Sequence, residues 1–130
     1  MKACMKTILS GAALGLALLA NSVPSWAGAK NVQEVLVGKT WAIGSVTSAR
    51  YSGDVTQSIS CQTSRTPSFI SIGCGATDKT GTKFFCGSYD PNLAELADAM
   101  TDYSIIYFAA EPGSATCTNI FISNTSANLR

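Results

Sequence analysis

Histidine is absent from all 130 residues of the sequence, and this absence removes several classes of chemistry. Without it there is no Ser-His-Asp triad, no Cys-His dyad and no histidine ligand for a metal or a haem. Charged residues are also scarce, at 13%. The carboxylates that glycoside hydrolysis would need have simpler explanations, in turns and at a helix start. The sequence therefore predicts a protein that is not an enzyme and that uses no cofactor or metal.

No apolar run is long enough to cross a membrane. The N-terminal run over 8–20 has 13 residues, whereas a transmembrane helix needs about 20. It follows two lysines and precedes small residues that suit cleavage after Ala27 or Ala29, which is the pattern of a secretory signal. We therefore predict a signal peptide over 1–27, no membrane span in the mature chain and a periplasmic or secreted location.

Basic residues are few as well. Removal of the leader leaves seven of the nine basic residues against eight acidic ones, a net charge of about −1. A chain with no basic patch has no means of holding a polyanion, so we expect no nucleic-acid partner.

A mature length of about 100 residues suits one domain. We predict a flexible lead-in over 28–37, the folded domain over 38–123 and a polar tail over 124–130.

The sequence has five cysteines, of which Cys4 lies in the leader. Four cysteines in a small exported domain predict two disulfides. No pair has the close spacing of a zinc site, and histidine is not available to complete one. Three pairings are possible. We favour Cys61–Cys74, which closes a local loop, and Cys86–Cys117, which joins distant segments.

Alternating patterns separated by turn residues predict a mostly β domain. Residues 39–50 are expected to form one bent strand, with Gly44 at a bulge or at a close approach of two backbones. Residues 62–67 and 75–81 are expected to be loops. Segment 68–74 forms either a hairpin with 82–87 or a decorated loop. Further strands are predicted over 55–61, 69–74, 82–87, 104–110 and 117–123.

One helix is predicted, from residue 91 to about residue 102. Asp90 suits the N-cap, and Pro91 suits the first helical position. Apolar residues then recur at i, i+3, i+4 and i+7, which predicts a single stripe facing the core. The stripe consists of Leu93, Leu96, Ala97 and Met100.

The order β-β-β-α-β-β predicts a mainly β fold with one helix, an OB-like five-stranded Greek-key barrel stabilised by disulfides. Three features resemble small exported bacterial OB-fold proteins. They are the turn Tyr51-Ser52-Gly53-Asp54, the stretch Phe84-Phe85-Cys86 followed by Asp90-Pro91, and a closing hairpin that carries Cys117 and ends in Ile120-Phe121-Ile122.

That resemblance covers residues 38–123 and is similar in layout to the pentameric B subunits of bacterial A–B toxins, which bind cell-surface glycans. It implies a glycan partner and a homo-oligomer, but it transfers no glycan-contacting residue to a position in this chain. The function it favours is an exported, non-catalytic binding module. A periplasmic protein-interaction domain, such as an enzyme inhibitor or an immunity-type protein with a protein partner, is the alternative.

The candidate binding surface lies around the first predicted strand and its turn. An aromatic ring beside short polar side chains can stack on a sugar while the polar groups bind its hydroxyls. The simpler alternative is that the tryptophan belongs to the core and that the turn has no further role. The candidate ligand-binding residues are Trp41, Arg50, Tyr51, Ser52 and Asp54.

Overall fold

The computed structural model describes residues 32–125, which form nine secondary-structure elements. These are β1 (Leu36–Val37), β2 (Trp41–Ser45), α1 (Val46–Arg50), β3 (Ser58–Arg65), β4 (Ile70–Thr77), β5 (Lys83–Ser88), α2 (Pro91–Asp98), β6 (Ser104–Ala110) and β7 (Cys117–Asn124). The predicted signal peptide and most of the predicted tail lie outside the described residues. Neither helix in the described range is long and apolar enough to cross a membrane.

The strands form two antiparallel sheets, one with the order β1-β2-β6-β7 and the other with the order β3-β4-β5. Successive side chains of a strand point to opposite faces, and one face of each sheet lies in a shared core. Ile106 and Phe108 of β6 are fully buried there, and the Phe108 ring is stacked near Phe84 of β5 with ring centroids 5.6 Å apart. Helix α2 packs against β3, β4 and β7, so it covers the core where the two sheets meet.

The predicted mainly β class is confirmed, but the predicted strand and helix counts are wrong. Residues 32–125 contain seven strands in two sheets and two helices, instead of five strands and one helix. The two sheets also touch through a parallel bridge between Gly87 and Thr116. The Gly87 N–H donates to the Ala115 carbonyl at 2.8 Å.

The second half of the predicted strand over 39–50 is helix α1. Ser45 caps this helix, since its Oγ accepts a hydrogen bond from the Ser48 N–H at 3.3 Å. The Thr47 hydroxyl donates to the Asp102 carbonyl and holds the helix against the start of β6. These contacts outweigh the strand preference of the local β-branched residues.

The close approach predicted at Gly44 is confirmed. A Cβ atom there would lie 2.9 Å from the Val35 side chain. Val35 is 1% exposed, and Leu36–Val37 pairs with β2. Residues 35–37 belong to the predicted lead-in over 28–37, and the structure places them against the sheet through the burial of Val35 and the pairing of β1.

The β3–β4 hairpin extends beyond the predicted strands. Paired residues run from Ser58 with Thr77 to Arg65 with Ile70, so the loops predicted over 62–67 and 75–81 begin and end too early. Cross-strand hydrogen bonds overcome the polar composition of these stretches. β4 also pairs with β5, which decides that segment 68–74 contributes a sheet strand.

Helix α2 begins at Pro91 with Asp90 as its N-cap, as predicted, but ends at Asp98. The predicted apolar stripe is partly wrong. Ala94 and Ala97 face the core, whereas Leu96 is 47% exposed. The other three stripe residues, Leu93, Ala97 and Met100, lie at the core as predicted. The small side chain of Ala94 lets the helix backbone lie close to the strands beneath it, which turns Leu96 outward.

Both predicted disulfides are confirmed. Cys61 and Cys74 are directly opposite each other in the β3–β4 register. Cys86 and Cys117 join β5 to β7 and so connect the two sheets covalently.

Candidate functional site

The structure places the predicted site residues at two ends of the four-stranded sheet. Trp41 pairs with Ala109 at the end of β6, whereas Ser45 pairs with Ile105 near its start. Helix α1 follows Ser45, so the predicted residues from Arg50 onward lie beyond the other end of β2. The structure therefore separates Trp41 from the rest of the predicted cluster.

Trp41 has a local packing role. Its ring is stacked near Tyr107, with ring centroids 6.4 Å apart. It also lies over Gly38, where an added Cβ would come within 2.4 Å of the indole nitrogen. Trp41 is nevertheless 36% exposed, so it belongs to the surface of the sheet and not to its core.

The turn around residues 50–54 is held together by its own polar groups. Arg50 forms an ion pair with Asp102 at 3.2 Å. The Ser52 hydroxyl donates to the carbonyls of Ala49 and Asp54. Tyr51 is 62% exposed at the end of α1. Arg50 and Ser52 thus support the turn, and Tyr51 contributes the exposed aromatic residue of this segment.

Asp54 is also committed to the turn. Its carboxylate accepts hydrogen bonds from the Gln57 side chain at 2.6 Å, the Gln57 N–H at 2.8 Å and the Thr56 N–H at 3.0 Å. These bonds, chiefly the one from the Gln57 side chain, lower the pKa of Asp54 to about 2. Because Asp54 accepts three hydrogen bonds within the turn, its main role is to stabilise the turn, and it is a weak candidate for a ligand contact.

A different candidate surface lies on the outer face of the three-stranded sheet. It is a depression of about 450 Å³, which lies within the usual size range of ligand pockets. We call it the β3–β5 trough. It is lined by Ser60, Gln62, Thr63, Ser64, Ser71, Gly73, Gly75 and Phe85.

The floor of the trough is made of glycine. Gly75 is directly opposite Phe85 in the β4–β5 register. The Phe85 ring lies over β4, since added Cβ atoms would be 3.4 Å from it at Gly73 and 3.7 Å at Gly75. The ring is still 64% exposed. The absence of side chains at these two positions therefore gives the Phe85 ring room to lie over β4 while most of the residue stays exposed.

The wall of the trough follows the alternation of β3. Ser60, Gln62 and Ser64 occupy every second position and are exposed, while Ile59 and Cys61, on the other face of the strand, are buried. Their hydroxyl and amide groups can both donate and accept hydrogen bonds. This surface is therefore suited to a ligand rich in hydroxyl groups.

Besides Phe85, a pair of aromatic residues lies beyond the other end of the trough. Phe69 and Tyr89 meet edge to face, with centroids 6.3 Å apart, and are 48% and 77% exposed. They immediately precede β4 and follow β5. Tyr89 lies four residues after Phe85, roughly 13 Å along an extended chain. Aromatic rings thus stand at both ends of the glycine-floored surface.

Two charged residues, Arg65 and Asp98, lie beside the trough and pair with each other. The Thr63 hydroxyl donates to Asp98 at 2.7 Å, and Arg65 forms an ion pair with the same carboxylate. The Thr63 hydrogen bond and then Arg65 lower the pKa of Asp98 below its ordinary value. None of the residues that line the trough is charged, and the described range holds no cluster of side chains able to bind a metal ion.

Sequence reasoning missed the trough residues for two identifiable reasons. Gln62 and Ser64 fell in the predicted loop, and Phe85 was noted only for the fold. The polar alternation from Ser58 to Ser64 and the Gly73-x-Gly75 spacing were the available signals. Neither shows that the three strands lie side by side, which is what creates the surface.

Comparison of the chain with protein-family models, curated proteins and solved structures found no match.

Proposed function

We propose that this protein is an exported, non-catalytic carbohydrate-binding module and that the β3–β5 trough holds its ligand. The observation that carries the proposal is the exposed ring of Phe85 above Gly73 and Gly75, beside a row of hydroxyl and amide side chains. A sugar ring stacks its apolar face on Phe85 while its hydroxyls bind Ser60 and Gln62. This places the ligand on a different surface from the predicted turn, although the ligand class is unchanged.

The ligand class follows from the lining. Because none of the lining residues is charged, and the adjacent Arg65 and Asp98 pair with each other, the trough favours neutral sugar units over acidic ones. Phe69 and Tyr89 extend the aromatic surface beyond the trough, so the preferred ligand is a short oligosaccharide instead of a single sugar.

The proposed setting is the periplasm or the exterior of the cell. Two disulfides are typical of proteins in oxidising compartments. The finer architecture that we propose is an OB-like barrel left partly open, similar to toxin B subunits. The Gly87–Thr116 bridge and the position of α2 where the sheets meet support it.

The test is binding of oxidised protein to a glycan array, followed by calorimetry with the glycan that binds best. We expect Phe85→Ala to weaken binding at least tenfold, or about 1.4 kcal/mol, because it removes the stacking surface. Leu96→Ala is the control, since Leu96 is similarly exposed but lies on α2.

Two outcomes would count against the trough. An array on which the unmodified protein binds no glycan removes the proposed function. Loss of binding in Tyr51→Ala with full binding in Phe85→Ala moves the site to the turn that the sequence indicated.

The alternative function, an inhibitor or immunity-type protein, makes different predictions. It predicts an equimolar complex with a target enzyme and no binding to the array. The observation in its favour is the exposed apolar surface on the four-stranded sheet, which includes Leu36, Trp41 and Phe121.

A further inference from the structure

The outer face of the four-stranded sheet is apolar across all of its strands. Leu36 of β1 pairs with Ile43 of β2, and Ile43 pairs with Tyr107 of β6. Tyr107 in turn pairs with Phe121 of β7. These residues form one transverse row on strands about 4.8 Å apart. We call this surface the aromatic face, and its residues are Leu36, Trp41, Ile43, Ile105, Tyr107 and Phe121.

The aromatic face is exposed to a degree that is unusual for such residues. Phe121 is 58%, Leu36 46% and Trp41 36% exposed, and the other three are partly exposed. With about 150–250 Å² for each large side chain, the exposed area is roughly 400 Å². A contiguous apolar patch of this size on a single protein commonly marks an interaction surface.

The chemistry of the face limits what can cover it. Its six residues are uncharged, and the neighbouring outward positions on β7, Asn119 and Ser123, are neutral. A partner recognised by charge complementarity is not favoured here. An apolar sheet face is well matched by a second sheet face packed at about 10 Å.

The row is also complementary to itself. Its β1–β2 end is aliphatic, with Leu36 and Ile43, and its β6–β7 end is aromatic, with Tyr107 and Phe121. In a twofold contact, residue i meets residue j while j meets i. A twofold axis between Ile43 and Tyr107 therefore sets Leu36 against the partner subunit's Phe121, and aliphatic groups cover aromatic rings at both ends.

We infer that two copies of this protein associate face to face through the aromatic face, around a twofold axis. Two such patches supply roughly 800 Å² of apolar area, about half of the buried surface of a standard interface. The neutral outward residues around the patch supply the polar rim that such interfaces have. The area thus suits a reversible dimer held by an apolar centre.

This arrangement leaves the β3–β5 trough free. The trough lies on the outer face of the other sheet, and none of its lining residues belongs to the aromatic face. A dimer formed through the aromatic face therefore keeps the trough of each subunit outside the contact. If the troughs bind glycans, attachment to a surface gains from two-site binding, but the dimer itself does not depend on that function.

The test is a measurement of the oligomeric state of the purified protein with both disulfides formed. Sedimentation over a range of concentrations should show a monomer–dimer equilibrium. We expect Phe121→Ser to raise the dimer dissociation constant at least tenfold. Phe85→Ser is the matched control, because Phe85 has similar exposure on the other sheet, and it should leave the dimer unchanged.

A second variant covers the case in which Phe121→Ser does not fold, as judged by circular dichroism. Leu36→Glu places a charge on the edge strand of the same face and should also weaken the dimer at least tenfold. A protein that stays monomeric at all concentrations overturns the inference. So does a dimer or a larger ring that tolerates both changes, or a monomer that captures a different protein through this face. In the Phe85→Ala variant, loss of glycan binding together with an unchanged dimer would show that dimer formation and glycan binding are independent properties.

Discussion

Asp54 shows how the immediate neighbours of a residue decide its role. From sequence it was a candidate ligand contact, beside Tyr51 and Ser52. In the structure its carboxylate accepts three hydrogen bonds from Thr56 and Gln57, so its charge is used to close the turn before β3. The same bonds make its ionisation a contributor to stability.

We predict that Asp54→Asn lowers the free energy of unfolding at neutral pH and flattens its dependence on pH. The pKa of Asp54 falls from 3.8 to about 2 on folding. A lowered folded-state pKa means that the ionised form stabilises the native state. This contribution is complete above about pH 4 and is lost as the pH falls toward 2. Urea unfolding between pH 2 and pH 7 measures it.

The control for this prediction is Glu95→Gln, because Glu95 is exposed on α2. The asparagine variant should differ from the unmodified protein most at pH 7 and least at pH 2. A constant difference over the whole range would show that the carboxylate charge of Asp54 does not contribute.

At the scale of elements, α2 combines a correct prediction with a wrong one. Its start was readable because Asp90 accepts the Asn92 N–H at 2.9 Å and Pro91 suits the first turn. Its buried face was predicted only in part, because Ala97 lies in the core as expected while Ala94 is buried and Leu96 is exposed. Capping is a local interaction, whereas the buried face depends on which strands lie beneath the helix.

We predict that Asp90→Ala destabilises the protein by about 0.5–2 kcal/mol, the usual cost of losing an N-cap. The free energy of unfolding from urea titration is the measurement. Glu95→Ala, an exposed change within the same helix, should stay within about 0.5 kcal/mol. Equal effects of the two substitutions would mean that the cap does not contribute to stability.

At the scale of the whole molecule, the two disulfides have different roles. Cys61–Cys74 lies within one hairpin, with a sequence separation of 13. Cys86–Cys117 has a separation of 31 and joins the two sheets. A longer closed loop restricts the unfolded chain more, which corresponds to about 3 kcal/mol for the first bridge and about 4 kcal/mol for the second.

We predict that replacing Cys86 and Cys117 together with serine destabilises the protein more than replacing Cys61 and Cys74. Each double variant leaves the other bridge intact and serves as the control for its counterpart. Guanidinium unfolding under oxidising conditions gives both free energies. A larger loss from the hairpin bridge would show that the link between sheets is not the stronger constraint.

The distinction between local and long-range interactions also applies to the fold and the candidate site. The β class, the start of α2 and the cysteine pairs depend on residues that are near neighbours or carry a distinctive chemical group. Helix α1 was missed because the Thr47–Asp102 contact spans 55 residues. The trough was missed because Ser60, Gly75 and Phe85 belong to three different strands.

By itself the sequence determined that histidine chemistry is excluded, that the domain is mainly β and that four cysteines are available to form disulfides. These follow from composition and short-range patterns, which need no knowledge of distant contacts. Only the tertiary structure decided that Trp41 and Tyr51 lie apart, that Phe85 stands above Gly73 and Gly75, and that an aromatic row crosses the other sheet. The reason is that strand pairing sets which side chains share a surface, and that pairing is a property of the folded chain as a whole.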